Sequence, residues 1–122
     1  MNKHKHSSEL KPRLRLLYNK DIAFGPGKAE LLTLIARTGS ISAAAREMNM
    51  SYRRAWQLVE TMNRCFQSPL VITSKGGTGG GGARVSELGE RVLQLHAELL
   101  EQLADAEPLR QLNQLLATTP PK

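Results

Sequence analysis

Cysteine, aromatic residues and long apolar runs are all scarce in this chain. The single cysteine, Cys65, excludes an intrachain disulfide and a cysteine-based zinc site, and it favours a reducing, cytoplasmic setting. Aromatic residues make up 4% of the chain against 40% hydrophobic residues in total, so we expect the aliphatic core of a small helical domain. No run approaches the roughly 18 apolar residues of a membrane span. The basic residues 1–6 are not followed by the apolar stretch of a secretory signal.

Groups that carry catalysis or bind cofactors are equally scarce. The chain has three histidines, His4, His6 and His96, and no matched set of nucleophile, acid and base. Two histidines in a polar tail make a poor metal site, so His4 and His6 are better explained as part of a basic tail. We expect His96 at the surface or in a helix seam, and Cys65 as a packing residue. The sequence therefore predicts no enzyme activity, no cofactor and no bound metal.

Positive charge is concentrated in the first two thirds of the chain. Residues 1–82 carry 13 lysines and arginines against 5 acidic residues, a balance of +8, whereas residues 83–122 carry 4 against 6, a balance of −2. A basic body suits a polyanion such as nucleic acid, and a mildly acidic end suits a protein partner. Charge alone is equally compatible with an ordinary solvated surface, so the motifs must decide.

The start of the chain predicts a tail, a hairpin and a helix. Residues 1–12 are polar and aperiodic, which indicates a disordered basic tail. Alternation within residues 13–24, interrupted by turn-forming residues 19–21, predicts a short β-hairpin. Because two strands alone are marginally stable, this hairpin must pack on helices or pair with another chain. Residues 28–38 predict a helix whose apolar face comprises Leu31, Leu34 and Ile35, with Leu32 at its edge.

A helix-turn-helix is predicted over residues 39–63. Its boundaries are marked by residues that end, turn or cap helices: Gly39 after the preceding helix, Ser40 or Ser42 before the first helix of the pair, Asn49 in the turn and Ser51 before the second helix. The second helix, expected from about residue 52 to 66, has apolar residues at three- and four-residue spacing: Ala55, Leu58, Val59, Met62 and Phe66, with Trp56 at the edge of this face.

The opposite face of this second helix begins with polar and basic side chains. A helix-turn-helix places its second helix in the major groove of DNA. There arginine can read guanine, glutamine can read adenine, and hydroxyl groups and arginines can bind phosphate. Taken in isolation, the two arginines are equally typical of a solvated surface. In this motif we predict DNA contacts from Ser40, Ser42, Ser51, Tyr52, Arg53, Arg54 and Gln57.

A glycine-rich segment follows the helix-turn-helix. Residues 70–73 and 83–85 predict two short strands, and the glycine run between them predicts the loop of a wing. Lys75 and Arg84 flank the loop and are predicted to contact phosphates or the minor groove. A flexible linker is the rival interpretation. A nucleotide-binding phosphate loop is disfavoured, because no Gly-Lys-Ser/Thr follows the glycines at the start of a helix.

The last third of the chain predicts one long helix over residues 86–118 with a break near Pro108. Its apolar face is wider than its own domain requires, so part of it is a candidate dimer seam comprising Leu88, Val92, Leu95, Leu99 and Leu103. The predicted fold class is mainly α with small β-hairpins. Its organisation is a tail (1–12), a winged helix-turn-helix DNA-binding domain (13–85), a long C-terminal dimerisation helix (86–118) and a second tail (119–122).

Several short motifs point to one family. They are Gly39-Ser40-Ile41-Ser42 with Ala45, Ser51-Tyr52-Arg53 with Ala55-Trp56, Glu60 with Met62-Asn63, the glycines at 79–82 followed by Ala83, and the Leu88-Gly89 step. With these motifs the chain resembles, over roughly residues 13–105, the N-terminal DNA-binding domain of the ModE-type molybdate-responsive transcription regulators. The helix-turn-helix is more distantly similar to that of LysR-type regulators, where Ser-Gln rather than Ser-Tyr-Arg is expected after the turn.

The resemblance implies a winged helix that dimerises through its long helix and reads an operator with the second helix of the motif. ModE-type proteins carry molybdate-binding domains after the long helix, whereas this chain ends at Lys122, so we expect no molybdate site in this chain. The chain is therefore either a natural single-domain relative or a fragment. Met1 together with the Pro-Pro-Lys terminus favours a whole small protein.

Two functions follow from the sequence. The first is a cytoplasmic, sequence-specific transcription regulator that binds double-stranded DNA at a pseudo-palindromic operator as a homodimer. The alternative is an interaction module that heterodimerises with a larger regulator through residues 86–118.

Overall fold

Five helices and two antiparallel hairpins make up the part of the chain that a computed structural model describes, residues 9–74 and 82–117. In chain order they are β1 (Leu16–Tyr18), β2 (Asp21–Phe24), α1 (Pro26–Thr38), α2 (Ile41–Glu47), α3 (Tyr52–Cys65), β3 (Val71–Ser74), β4 (Gly82–Val85), α4 (Glu87–Ala104) and α5 (Glu107–Gln114). This architecture confirms the predicted winged helix-turn-helix followed by a C-terminal helix. The predictions for residues 1–8, 75–81 and 118–122 lie outside the described residues.

The first hairpin turns where the sequence predicts. β1 and β2 pair antiparallel with Tyr18 opposite Asp21. Asn19 lies in the turn with a left-handed φ of 57°, a conformation that asparagine adopts more readily than most residues. The hairpin packs on the helices through Phe24, which is fully buried, whereas Leu17 is exposed.

One mainly aliphatic core joins the first three helices to both hairpins. The predicted apolar face of α1 is confirmed, except that Leu32, expected at its edge, is fully buried. Ala44 and Ala45 are buried in α2, where their small side chains let the neighbouring helices approach closely. The core comprises Phe24, Leu31, Leu32, Leu34, Ile35, Ile41, Ala44, Ala45, Ala55, Val59, Met62, Leu70 and Val71.

The boundaries of the helix-turn-helix follow from four residues. Gly39 ends α1 with a φ of 73°, in the left-handed region that glycine enters without steric cost. Of the two candidate serines, Ser40 caps α2, since its Oγ accepts a hydrogen bond from the N–H three residues later. Asn49 makes the turn with a φ of 58°, and Ser51 caps α3 in the same way as Ser40. These predictions are confirmed.

The second hairpin is attached to the helix-turn-helix at two points. Asn63 of α3 donates from Nδ2 to the carbonyl of Val71, and its Oδ1 accepts from the N–H groups of Leu70 and Val71 at 2.9 and 3.1 Å. The N–H of Ala83 donates to the carbonyl of Gly39 at 2.9 Å. β3 and β4 therefore hold a fixed position beside α2 and α3.

α4 is anchored against the end of this hairpin. Ser86 caps the helix, donates from Oγ to the carbonyl of Pro69 at 2.7 Å, and donates from its N–H to the carbonyl of Leu70 at 2.9 Å. A Cβ on Gly89 would lie 2.5 Å from the carbonyl oxygen of Leu70 and 2.6 Å from Cγ1 of Val85. Only glycine permits this close approach.

The predicted helix over residues 86–118 corresponds to two helices. α4 ends at Ala104, and α5 begins at Glu107 with Pro108 in its first turn, where the missing N–H costs no helical hydrogen bond. α5 ends at Gln114. The segment before β1 contacts α5, since the N–H of Leu10 donates to Oδ1 of Asn113 at 2.7 Å.

His96 differs most from its sequence prediction. It was expected at the surface or in a helix seam, but it is only 6% exposed and packs edge-on against Phe24 with 5.0 Å between the ring centroids. Its Nε2 has no hydrogen-bond partner among residues 9–74 and 82–117. The inward face of α4 includes Gly89 and His96. The sequence pattern marks buried positions by their apolar residues, so it could not identify a core position that a histidine occupies.

Candidate nucleic-acid interface

The first half of α3 presents the predicted reading face to solvent. Ala55, Val59 and Met62 are buried on the inner side of this helix. Helical geometry therefore turns Arg53 and Gln57, four residues apart, to the outside on one line. Both are exposed, as are the other predicted contact residues of α3 and its cap, Ser51, Tyr52 and Arg54.

The guanidinium groups at this end of α3 are unpaired. Arg37 pairs with Glu47, and Arg64 with Asp21. By contrast, within the described chain no acidic side chain or hydrogen-bond acceptor contacts the guanidinium of Arg53 or Arg54. Both are therefore available to an external anion or to the acceptor edge of a base.

A groove lies between the helix-turn-helix and the second hairpin. It encloses about 430 Å³. It brings together Ser40, Ser42 and Tyr52, which were predicted to contact DNA, and residues that the sequence did not single out as contacts. These additional residues are Ile41, Trp56, Thr73, Ser74, Gly82 and Ala83. Only the register of β3 on β4, with Thr73 opposite Ala83, brings these strands to the groove. That register depends on long-range packing, so local sequence patterns gave no signal for it.

The remaining predicted contact residues do not converge on this groove. Arg84 is exposed on β4, opposite Ile72, and Lys75 lies outside the described residues. The hydroxyl oxygens of Ser40 and Ser51 accept as helix caps, which orients the helix ends and leaves each O–H able to donate. Ser42 is exposed beside the groove.

Lys28, in the first turn of α1, is a charged residue that the sequence did not identify. It is only 7% exposed, and it lines a concave surface together with Arg15 and Arg54. Burial lowers the pKa of Lys28, and the positive charge of Arg54 lowers it further. A buried lysine at the start of an apolar helix looks like an ordinary solvated residue in the sequence, because its burial depends on the tertiary fold.

The predicted dimer residues divide into two groups. Leu88 and Val92 are half-buried against the domain core, whereas Leu95 is 45% exposed. Leu99 and Leu103 are half-buried further along α4. Further exposed leucines lie on α5 and just after it: Leu112, Leu115 and Leu116.

The described ranges contain neither a metal-binding cluster nor a membrane-spanning helix. No group of three or more histidine, cysteine, aspartate or glutamate side chains there is placed to hold a metal ion. No helix in the same ranges has the length and apolarity needed to cross a membrane.

Comparison with known proteins agrees with this geometry. The family described as "Bacterial regulatory helix-turn-helix protein, lysR family" matches residues 28–90. The chain is 43% identical over 75 residues to the molybdenum-pterin-binding protein MopB of Rhodobacter capsulatus, a match that covers 62% of this chain and 28% of that protein. It is 38% identical over 90 residues to the DNA-binding transcriptional dual regulator ModE of Escherichia coli strain K12, covering 74% of this chain and 34% of that protein.

A third relative extends the pattern. The molybdenum transport protein ModE of Azotobacter vinelandii is 34% identical over 87 residues, covering 71% of this chain and 32% of that protein. The chain thus spans about a third or less of the length of these relatives. The similarities confirm the resemblance to the N-terminal helix-turn-helix domain of ModE-type regulators.

Proposed function

Because the chain belongs to the bacterial regulatory helix-turn-helix proteins of the lysR family, a family of regulators and not of enzymes, we propose that it is a sequence-specific DNA-binding transcription regulator. The observation that carries this proposal is the outward, unpaired Arg53 beside Gln57 at the start of a serine-capped α3. In the major groove this end of a recognition helix meets the base edges.

The exposed residues of α3 divide into two roles. Arg53 and Gln57 are the base-reading pair, since they share the outer line of the helix and carry side chains suited to guanine and adenine. Tyr52 borders the groove with Ser42, and Arg54 lies on the other flank, so these residues bind the phosphates on either side of the major groove. Arg84 and Lys75 of the wing supply further phosphate or minor-groove contacts.

The regulator is proposed to act as a homodimer through α4 and α5. Leu95 and Leu112 are exposed on these helices, and Leu115, just after α5, is 79% exposed. Large apolar side chains left exposed on neighbouring helices are suited to a protein interaction site. Two-fold symmetry then requires a pseudo-palindromic operator whose half-sites lie about 34–36 Å apart or a multiple of that distance. DNA binding implies a cytoplasmic location, and we assign no molybdate site to this chain.

The alternative partner is a larger regulator that covers the same apolar surface. Light scattering of the purified chain distinguishes the two, because a concentration-independent homodimer leaves no free surface for a heterodimer. A monomer at all accessible concentrations contradicts the homodimer.

Selection of bound duplexes from a random pool tests DNA recognition. We expect enrichment of a two-fold symmetric sequence, protected over both half-sites in footprinting. Arg53→Ala should lower discrimination at one base pair of each half-site, whereas Arg91→Ala, which removes the same charge from an exposed position on α4, should not. Equal affinity for selected and random duplexes would contradict sequence-specific binding.

A further inference from the structure

A second concave surface lies on the flank of α3 that faces away from the wing. It encloses about 330 Å³ and is lined by the start of α1, the first hairpin and α3. Its charged lining residues are Arg15, Lys28 and Arg54, and its backbone lining is Gly25-Pro26-Gly27. Arg54 and Tyr52 lie two positions apart on α3, so this surface and the wing groove occupy opposite sides of the same helix.

The start of α1 is open to an anion. Gly25 precedes the helix without a side-chain cap, and the first turn contains no acidic residue. The first helical hydrogen bond is donated by Ala29 to the carbonyl of Gly25 at 2.8 Å, so the N–H groups of Gly27 and Lys28 have no partner within the helix. Gly27 is exposed, and a Cβ placed on it would meet nothing within 4 Å. The partial positive charge of a helix N-terminus therefore faces accessible space.

Lys28 is largely buried in this surface, while its ammonium group keeps some contact with solvent. Although 93% of it is covered, no hydrogen bond or ion pair within the described chain reaches its ammonium group. The two neighbouring arginines lower its pKa, while Cys65 and Asp21 act in the opposite direction. Asp21 is already paired with Arg64 at 3.1 Å. An anion in the pocket would give this ammonium group the partner that it lacks among the described residues.

Arg15 lies next to the start of α1, where it can contribute to anion binding. Its Cγ packs on Gly25, where an added Cβ would lie 3.3 Å away, so the stem of Arg15 follows the backbone just before the helix. Arg15, just before β1, and Arg54, on α3, line the same surface as Lys28. Three cations and free backbone N–H groups converge on one small volume.

We propose that this pocket is a binding site for a tetrahedral oxyanion of the phosphate class, held by the N–H groups at the start of α1 and by Lys28, Arg15 and Arg54. Two sources supply this chemistry: a DNA backbone phosphate beside the major groove in which α3 lies, or a free phosphate in solution. The DNA source rests on the proposed function, and the free source does not.

Titration with inorganic phosphate tests the pocket without DNA. In ¹H–¹⁵N spectra at constant ionic strength, the amide signals of Gly27, Lys28 and Ala29 should shift and saturate in the wild type. The saturable shift should be lost in Lys28→Met and kept in Lys20→Met, which removes an exposed lysine from the hairpin turn. If Lys28→Met does not fold, Arg15→Gln, at an exposed residue, must weaken phosphate binding at least several-fold. Shifts that never saturate, or that persist in both pocket variants, would overturn the proposal.

Binding to DNA then identifies the source. If the ligand is a backbone phosphate, Lys28→Met should weaken binding to selected and random duplexes by the same factor and reduce the dependence of log K on log salt by about 1. Saturable phosphate binding with an unchanged DNA affinity in this variant assigns the pocket to free phosphate. If the chain binds no DNA at all, the proposed function fails, and the phosphate titration still decides the pocket.

Discussion

Replacement of Gly89 by alanine is a sharp test of how α4 is seated. The added Cβ would lie 2.5 Å from the carbonyl oxygen of Leu70, 2.6 Å from Cγ1 of Val85 and 3.3 Å from the carbonyl carbon of Leu70. Val85 can rotate, but the Leu70 carbonyl is backbone and already accepts the N–H of Ser86 at 2.9 Å. The helix must therefore move away from the hairpin.

Two opposing effects set the magnitude. Alanine favours a helix interior over glycine by about 1 kcal/mol. Overpacking against a fixed neighbour costs typically about 1–3 kcal/mol. Because one of the two contacts below 3 Å is with backbone, we expect a cost at the upper end of that range. The Gly89→Ala variant should then be less stable than the wild type by about 1–2 kcal/mol.

Urea denaturation followed by circular dichroism measures this difference. Gly27→Ala is the matched control, because it makes the same chemical change in a helix at an exposed position with nothing within 4 Å. We expect it to be neutral or stabilising by up to about 1 kcal/mol. The reasoning is refuted if Gly89→Ala is as stable as Gly27→Ala.

Three further predictions concern the wing attachment, the buried lysine and the dimer surface. Asn63→Ala leaves the N–H groups of Leu70 and Val71 without their acceptor and should reduce the free energy of unfolding by about 1–3 kcal/mol, whereas Asn63→Asp, which keeps an acceptor oxygen, should lose less in the same denaturation assay. Folding lowers the pKa of Lys28 below 10.5, so between the folded-state and unfolded-state pKa values the unfolded chain binds more protons than the folded chain. The stability of the wild type relative to Lys28→Met should therefore increase as the pH rises through that interval. A difference in stability that does not depend on pH would contradict this. Leu115→Glu should shift the chain towards monomer in sedimentation equilibrium, and Leu17→Glu, at an equally exposed leucine of the first hairpin, should not.

The sequence was sufficient wherever a local chemical rule sets the backbone. Gly39 and Asn49 adopt positive φ, and Ser40 and Ser51 cap helices, because each effect involves residues at most four positions apart. Alternation located the first hairpin, and apolar residues at three- and four-residue spacing located α1 and α3. Capping residues located α2, and a glycine run between two short strand-like segments located the second hairpin.

Long-range packing determined what the sequence did not predict. Phe24 of the first hairpin covers His96 of α4, so a histidine expected outside lies in the core. Lys28, which looks like an ordinary surface lysine in the sequence, is only 7% exposed and lines one surface with residues of the first hairpin and of α3. Each case places a polar residue under an element distant in the chain, and no local periodicity carries that information.

The central claim is that α3 reads base sequence through Arg53. The most direct measurement is the affinity of wild type and Arg53→Ala for a selected duplex and for a duplex substituted at the contacted base pair. We predict that the variant loses about 1–3 kcal/mol on the selected duplex and much less on the substituted one. An equal loss on both duplexes would show that Arg53 contacts only phosphate, and no loss on either would contradict the assignment of α3 as the reading helix.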